Sequence, residues 1–199
     1  MSRRPPADAD EAYLAGLIAS DWYIERRKGR SVPTGLAIKM AAEAEELLSS
    51  LAERFGRRLY RRSNGQVVVT FIAIPIFWKL ELPRLSADLE QHYFRGLIDG
   101  DGCWSGAFSA GRFYPYVSLA FNPLLQQWIG DAYKSYLTRN GVGFRESADK
   151  PSVHQIRSWS AEAQKVANLT YRNAALVHPR KHALAKHAMS GCRSRPNAH

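Results

Sequence analysis

The chain has 199 residues, of which 45% are hydrophobic, and this supplies one substantial core or two small halves that share an interface. Its formal net charge of +10 and pI near 9.9 favour a polyanionic partner such as nucleic acid or an anionic membrane surface. A membrane-spanning helix is excluded because no apolar run reaches the ~18 residues that one needs, and two cysteines are too few for a disulfide framework.

The first half of the chain alternates between helical and strand patterns. Residues 1–7 are typical of a flexible leader, and because the start lacks the apolar core of a secretory signal we expect a soluble cytoplasmic or organellar protein. Asp8 and Glu11 have the spacing of a capping box, with Asp10 as the alternative N-cap, so a helix is predicted over residues 11–20. The remaining predictions are strands over 22–27 and 34–39, a helix over 41–55, strands over 57–62 and 66–74, and a short helix between Pro75 and Pro83.

The same order recurs from Ser86, a predicted N-cap. The predictions here are a helix ending at Asp101, strands over 104–109 and 117–122, a helix over 125–137, strands over 142–147 and 153–159, a helix over 161–175 and a basic segment through Lys186. The recurrence predicts an α+β chain of two pseudo-symmetric αββαββα repeats, 1–85 and 86–187, and a flexible basic tail over 188–199. Each repeat is expected to form a four-stranded antiparallel sheet with helices on one face, and the two open faces to form one saddle.

A short apolar motif occurs once in each half. It is Gly-Leu-Ile, beginning at Gly16 and at Gly96, and an aspartate follows each glycine by five residues, as Asp21 and Asp101. A carboxylate at the C-terminal end of a helix is unfavourable without a cation, and two of them favour a divalent ion such as Mg²⁺. That arrangement suits metal-assisted phosphodiester hydrolysis, although a lone Asp-Gly-Asp-Gly is more often a plain turn. The two glycines are expected at a helix interface, where they let backbones approach closely.

Residues 14–21 and 94–102 resemble the two signature motifs of the LAGLIDADG homing endonucleases in their single-chain form. The second copy, Phe-Arg-Gly-Leu-Ile-Asp-Gly-Asp-Gly, is the closer match, since the first departs at Ala19 and Trp22. The resemblance implies motif helices packed at a pseudo-twofold axis, a DNA-binding saddle, and Asp21 and Asp101 as catalytic metal ligands. It also implies a monomer that cuts both strands of a long double-stranded DNA site with Mg²⁺, for which Mn²⁺ can substitute.

Two basic positions follow from the same resemblance. Pro179-Arg180-Lys181 is similar to the Arg-Lys pair near the end of a family repeat, which implies that Lys181 polarises the attacking water. The matching Pro83-Arg84-Leu85 leaves Arg84 as a weaker catalytic substitute in the first half. Family members often carry a water-orienting polar residue after the second strand, where this chain has Ala42 and Leu125. Those two residues favour an alternative, a non-cleaving DNA-binding regulator, and an intron RNA maturase is a further alternative.

Strand residues that point outward are the candidates for contact with DNA. In the first half they are Tyr23, Glu25, Arg27, Lys39, Arg61 and Arg62. In the second half they are Ser105, Ser109, Ser118, Asn122, Gln155 and Arg157. Arginine can pair with guanine, and asparagine or glutamine with adenine, each good pair discriminating by about 1–3 kcal/mol. Because the first set is charged and the second is mostly small or amide-bearing, we expect an asymmetric target with stronger phosphate attraction over the first half-site.

Overall fold

The computed structural model describes residues 4–20, 23–25, 35–71, 74–110 and 112–190. The predicted site residues Asp21 and Arg27 lie outside these ranges, and only the backbone of Tyr23 and Glu25 is described. None of the helices in these ranges is long and apolar enough to cross a membrane.

Within the described ranges, the first half contains two helices, four strands and two short 3-10 helices. They are α1 (Ala9–Ser20), β1 (Tyr23–Glu25), β2 (Gly35–Met40), a 3-10 helix (Ala42–Ala44), α2 (Glu45–Arg54), β3 (Leu59–Arg61), β4 (Val67–Phe71) and a second 3-10 helix (Ile76–Lys79). The strands form an antiparallel sheet in the order β1-β2-β4-β3. The short helix predicted after Pro75 is therefore a single 3-10 turn.

The second half repeats this order with longer elements. They are α3 (Ala87–Asp101), β5 (Gly102–Ser109), β6 (Arg112–Phe121), α4 (Pro123–Arg139), β7 (Arg145–Lys150), β8 (Val153–Trp159), α5 (Ala161–Tyr171) and α6 (Pro179–Met189). Its antiparallel sheet has the order β5-β6-β8-β7, the same as in the first half. The predicted α+β class with two four-stranded antiparallel sheets is confirmed. The predicted basic segment is α6, which continues two residues beyond the predicted end of the second repeat.

The start of α1 is fixed by its own sequence. The Asp8 carboxylate accepts hydrogen bonds from the backbone N–H groups of Asp10 and Glu11, at 3.0 and 2.9 Å. The Glu11 carboxylate accepts one in return from the backbone N–H of Ala7, at 2.8 Å. This reciprocal capping satisfies N–H groups that a helix start otherwise leaves unpaired. It sets the register of α1, which ends at Ser20, immediately before the first motif aspartate.

The two motif helices cross at their glycines. A β-carbon on Gly16 would lie 2.0 Å from the Tyr93 carbonyl oxygen, and one on Gly96 would lie 2.2 Å from the Tyr13 carbonyl oxygen. Both distances are shorter than any real contact, so a larger residue at either position would push the backbones apart. Helix α1 is buried from Ala12 to its end, and side chains from both halves form one continuous core around the crossing. The crossing therefore fixes the motif helices relative to each other.

Candidate active site

The second motif aspartate stands at the end of α3. Asp101 is the last residue of the helix and is exposed, and the next residue, Gly102, begins β5. A β-carbon on Gly102 would lie 2.5 Å from the Ile98 carbonyl oxygen, so only glycine permits this direct turn from helix into strand. The turn presents the Asp101 carboxylate to solvent at the negative end of the helix dipole, where a cation is favourable.

A lysine from α6 supplies positive charge at that helix end. The Lys181 ammonium donates hydrogen bonds to the carbonyl oxygens of Ile98, Asp99 and Gly100, at 3.0, 2.7 and 2.9 Å. Helix α3 has no basic residue in its own last turn, so Lys181 offsets the negative end of its dipole. An ammonium has three N–H donors, and the three carbonyl oxygens match them.

The first half has an equivalent lysine that the sequence analysis missed. Lys79, at the end of the second 3-10 helix, donates to the carbonyl oxygens of Ala19 and Ser20, at 2.9 and 3.2 Å. Arg84, the residue predicted for this role in the first half, is exposed and precedes α3. In the described part of the chain it is Lys79 that meets the last carbonyl oxygens of α1.

A polar side chain from the second half also reaches the end of α1. The Gln126 amide donates to the Ala19 carbonyl oxygen at 3.3 Å, and α4 has a non-helical backbone at this residue, with φ −136° and ψ 27°. Leu125 beside it is 78% exposed, and Ala42 in the first half is exposed as well. The two positions predicted to orient water therefore carry no polar group, but the next residue in α4 directs one to the helix end.

The first half has a turn that matches the start of α4, and this turn contacts the second half. Glu43, in the first 3-10 helix, forms an ion pair with Arg180 at 3.3 Å, and Arg180 precedes Lys181 in α6. The end of α1 thus lies beside groups from both halves, Lys79 and Gln126, and the end of α3 lies beside Lys181 of its own half. The candidate site is composite, and neither half supplies it alone.

The first aspartate of the second motif is buried. Asp99 is 1% exposed and accepts hydrogen bonds from the Tyr13 and Tyr171 hydroxyls and the backbone N–H of His178. Burial raises the pKa of this carboxyl, and the three hydrogen bonds, with the Lys181 charge, oppose that rise. Burial beside Asp99 also raises the pKa of both tyrosines well above the ordinary value. Asp99 thus faces the core, whereas Asp101 faces solvent.

The outward face of the second sheet carries four of the six residues predicted for DNA contact in this half. Ser118 pairs with Arg157 across β6 and β8, and Gln155 lies two residues from Arg157 on the same face. The Gln155 side-chain oxygen accepts hydrogen bonds from the Arg157 guanidinium at 3.0 and 2.7 Å, which orients it. Ser105 shares this face and lies opposite Tyr116. Ser118, however, is buried, which limits its reach.

Two other predicted residues of this half are at the margins. Ser109 is the exposed last residue of β5. Asn122 caps α4, and its side-chain oxygen accepts a hydrogen bond from the backbone N–H of Leu124 at 3.0 Å. This oxygen is therefore engaged in capping the helix. Trp159, which no sequence pattern indicated, is 41% exposed on the outward face with the Arg145 guanidinium 6.0 Å from its ring.

The first sheet presents a different face. Lys39 on β2, Val68 on β4 and Tyr60 on β3 form one row across it. Arg61 follows Tyr60, so strand alternation turns its side chain to the helix side, where it binds Glu45 of α2. This corrects the prediction that Arg61 points outward, and Tyr60, which is 55% exposed, occupies that position. Arg62 is exposed just beyond the strand.

Comparison with known proteins identifies the fold. No family model and no curated protein sequence matches the chain. Among solved structures, the LAGLIDADG meganuclease I-AabMI bound to uncleaved DNA superposes with a TM-score of 0.61 at 12% identity, covering 89% of this chain and 88% of that one. The meganuclease I-SmaMI bound to uncleavable DNA gives 0.58 at 12% identity over 89% and 90% of the two chains. The homing endonuclease I-WcaI bound to its DNA recognition sequence gives 0.55 at 15% identity over 90% and 88%. The chain therefore has the fold of the LAGLIDADG homing endonucleases, as its two motifs predicted.

Proposed function

We propose that this protein is a sequence-specific endonuclease of double-stranded DNA, with Asp21 and Asp101 holding the divalent metal. The observation that carries the proposal is the environment of the two helix ends. At α3 the Asp101 carboxylate emerges beside carbonyls held by Lys181, and at α1 Lys79 holds the carbonyls immediately before Asp21. Two carboxylates with few other ligands suit Mg²⁺, which binds one or two carboxylates together with phosphate oxygens and water.

The residues present fit hydrolysis of a phosphodiester. Mg²⁺, when bound, supplies a water of lowered pKa and charge that stabilises the leaving oxygen. Lys181 acts on the site through its charge, because its three N–H donors already meet three carbonyl oxygens. Lys79 places an equal charge at the other helix end. Gln126 supplies the polar group that Leu125 does not, at the end of α1.

Binding to duplex DNA follows from the charge and from the sheet faces. The net charge of +10 attracts the phosphate backbone, and counterion release makes such binding salt-dependent. Arg157, oriented by Gln155, has the fork geometry that pairs with guanine in the major groove. The similar structures I-AabMI and I-WcaI were solved with DNA, and I-SmaMI was also solved with its uncleaved target in the presence of calcium ions. Their ligands support the proposal by analogy.

A second candidate function is a DNA-binding protein that does not cut. Ala42 and Leu125 carry no polar group at the two water-orienting positions, and the turn of the first half brings a carboxylate, Glu43, paired with Arg180. At the position that matches Gln126, the first half thus has the carboxylate of Glu43 in place of an amide. In this case the protein would bind its site in the same groove and leave the strands intact.

The two candidates are separated by cleavage of a plasmid library with Mg²⁺ or Mn²⁺ at low salt. The native chain is compared with Asp21→Asn and Asp101→Asn, and with Asp131→Asn as a matched loss of an exposed carboxylate on α4. If the protein is an endonuclease, we expect cleavage at one long site, which Asp21→Asn and Asp101→Asn abolish and Asp131→Asn retains. Binding of duplex DNA without cleavage under any of these conditions would establish the second candidate instead.

A further inference from the structure

We propose that Asp99 is a positioning residue that holds Lys181 against the end of α3, and that it serves the second active site alone because Ala19 stands in its place in the first motif. The inference rests on the proposed function for its effect on cleavage. Its structural part can be tested without DNA.

The Asp99 carboxylate joins four helices. It lies on α3 and accepts hydrogen bonds from Tyr13 of α1 at 2.8 Å, from Tyr171 of α5, and from the backbone N–H of His178 at 2.9 Å. His178 immediately precedes α6, and its carbonyl oxygen accepts the first hydrogen bond of that helix, from His182 at 2.9 Å. Asp99 therefore fixes the point from which α6 begins.

A second side chain of α3 holds the same segment. Arg95 lies one turn before Asp99 and is 3% exposed, and its guanidinium donates to the carbonyl oxygens of Thr170 and Leu176, at 3.0 and 2.9 Å. The guanidinium also lies 5.1 Å from the centre of the Tyr13 ring. Together the two residues hold the last turn of α5 and the connection to α6 at three backbone positions.

Helices α3 and α6 hold each other at two points. Lys181 lies three residues after His178, in the first turn of α6, and its ammonium returns to the last carbonyls of α3 beside Asp101. Since α3 holds the start of α6 and α6 holds the end of α3, a shift of His178 moves the Lys181 ammonium. The Asp99 carboxylate is the side-chain acceptor that prevents this shift.

Packing alone does not account for an aspartate at this place. A buried carboxylate loses hydration that only well-placed donors compensate, and an apolar residue of similar volume avoids that cost. The first motif shows the alternative, because Ala19 is fully buried and Lys79 reaches its two carbonyls from a 3-10 helix. The neighbouring Trp78 fixes that turn through a hydrogen bond from its indole N–H to the Arg4 carbonyl oxygen at 3.1 Å. Lys181 and Lys79 are thus held in place by different contacts.

The structural part is tested by the accessibility of the two lysines. The native chain and the variants Asp99→Asn and Tyr171→Phe are treated with an acetylating N-hydroxysuccinimide ester, and modification of Lys181 and Lys79 is followed by peptide mass spectrometry. We expect Lys181 to react several-fold faster in both variants while Lys79 is unchanged. The matched control is Tyr93→Phe, because the buried Tyr93 hydroxyl has no hydrogen-bond partner among the described residues. This control should leave both lysines as in the native chain.

The effect on activity is tested by single-turnover cleavage with each DNA strand labelled separately. Lys181→Met and Lys79→Met first assign a strand to each site. Asp99→Asn and Tyr171→Phe should then slow the Lys181-dependent strand about ten-fold or more, since misplacing a catalytic group by about 1 Å can cost on the order of 100-fold. The other strand should change less than about two-fold, and Tyr93→Phe should slow neither. Thermal melting of each variant verifies that it is folded.

Different results overturn different claims. Equal acetylation of Lys181 in the native chain and in both folded variants would overturn the positioning role. Faster acetylation together with equal slowing of both strands would overturn the restriction to the second site. A native chain that shows the expected acetylation pattern but cuts no DNA would overturn the proposed endonuclease function and leave the positioning of Lys181 supported.

Discussion

Replacing Gly16 by alanine tests the crossing on which both active sites depend. The added β-carbon would lie 2.0 Å from the Tyr93 carbonyl oxygen and 2.9 Å from the Leu97 backbone nitrogen. Both partners are backbone atoms of a buried helix, so neither can rotate away as a flexible side chain would. The two helices must separate by at least about 1 Å to relieve this clash, and a gap of about 0.5–1 Å already forfeits a quarter to a half of each dispersion contact at the crossing.

The magnitude follows from two opposing effects. Overpacking of this kind costs about 1–3 kcal/mol, and a backbone clash favours the upper end of that range. Alanine is a better helix former than glycine in a helix interior by about 1 kcal/mol, which offsets part of the loss. We therefore expect Gly16→Ala to lower the free energy of unfolding by about 2 kcal/mol, which for a chain of this size lowers the melting temperature by about 4–8 °C.

The measurement is urea unfolding followed by circular dichroism, with Gly143→Ala as the control. A β-carbon on Gly143 would meet only the Glu162 side chain, at 3.3 Å, and its backbone has no positive φ. That variant should differ little from the native chain. If Gly16→Ala proves as stable as Gly143→Ala, the motif helices do not approach as closely as this structure has them, and the inference that the crossing fixes both helix ends is wrong.

Three further predictions concern the sheet faces and one ion-pair cluster. Arg157→Ala should weaken binding to the cleavage target by about 1–3 kcal/mol, the discrimination that one good side-chain–base pair supplies. Fluorescence anisotropy on targets with single base-pair changes should show that discrimination is lost at one position of the site. An equal loss of affinity on every sequence would contradict base contact. Arg61→Ala should leave affinity unchanged in the same titration because its guanidinium faces α2. The pKa of Glu146 is lowered from its ordinary 4.5, first by the Lys134 hydrogen bond and then by that of His154. A carboxylate whose pKa is lowered in the folded state stabilises the protein above its unfolded pKa, and this stabilisation is lost as the pH falls through its folded pKa. Glu146→Gln should therefore reduce the melting temperature at pH 7 and make the melting temperature fall less steeply on acidification.

Much of the fold could be predicted because its signals are local. Alternating and helical periods located most of the elements, and the Asp8–Glu11 capping box set the start of α1. The short helix after Pro75 could not be delimited, since residues 67–78 are nearly continuously apolar and show no period. Helix α6 was predicted only as a basic segment, because Lys, Arg and His dominate it and Pro179 is its one local start signal.

The candidate site was predictable only where a short motif carries it. Asp101 and Lys181 follow from such motifs, whereas Lys79 and Gln126 reach Ala19 at the end of α1 from positions 60 and 107 residues away in the chain. The Gln126 contact depends on how the two halves dock, and the Lys79 contact on how the end of the first half folds back on α1, and no local pattern encodes either. The side on which Arg61 lies was missed for a related reason, since a three-residue strand offers too few alternations to fix its inward face.

The two halves share a backbone plan but differ in chemistry at equivalent places. Asp99 and Ala19 occupy the same position of the two motifs, yet only the former ties its helix to α5 and α6. An amide from Gln126 reaches the end of α1, whereas Glu43, the matching residue of the first half, pairs with Arg180 of α6. Because the glycine crossing leaves the motif helices no room to slide, movement of one helix against the other cannot make the two helix ends equivalent. A nuclease built in this way should cut its two strands at different rates, and a substitution at either helix end should alter one rate more than the other.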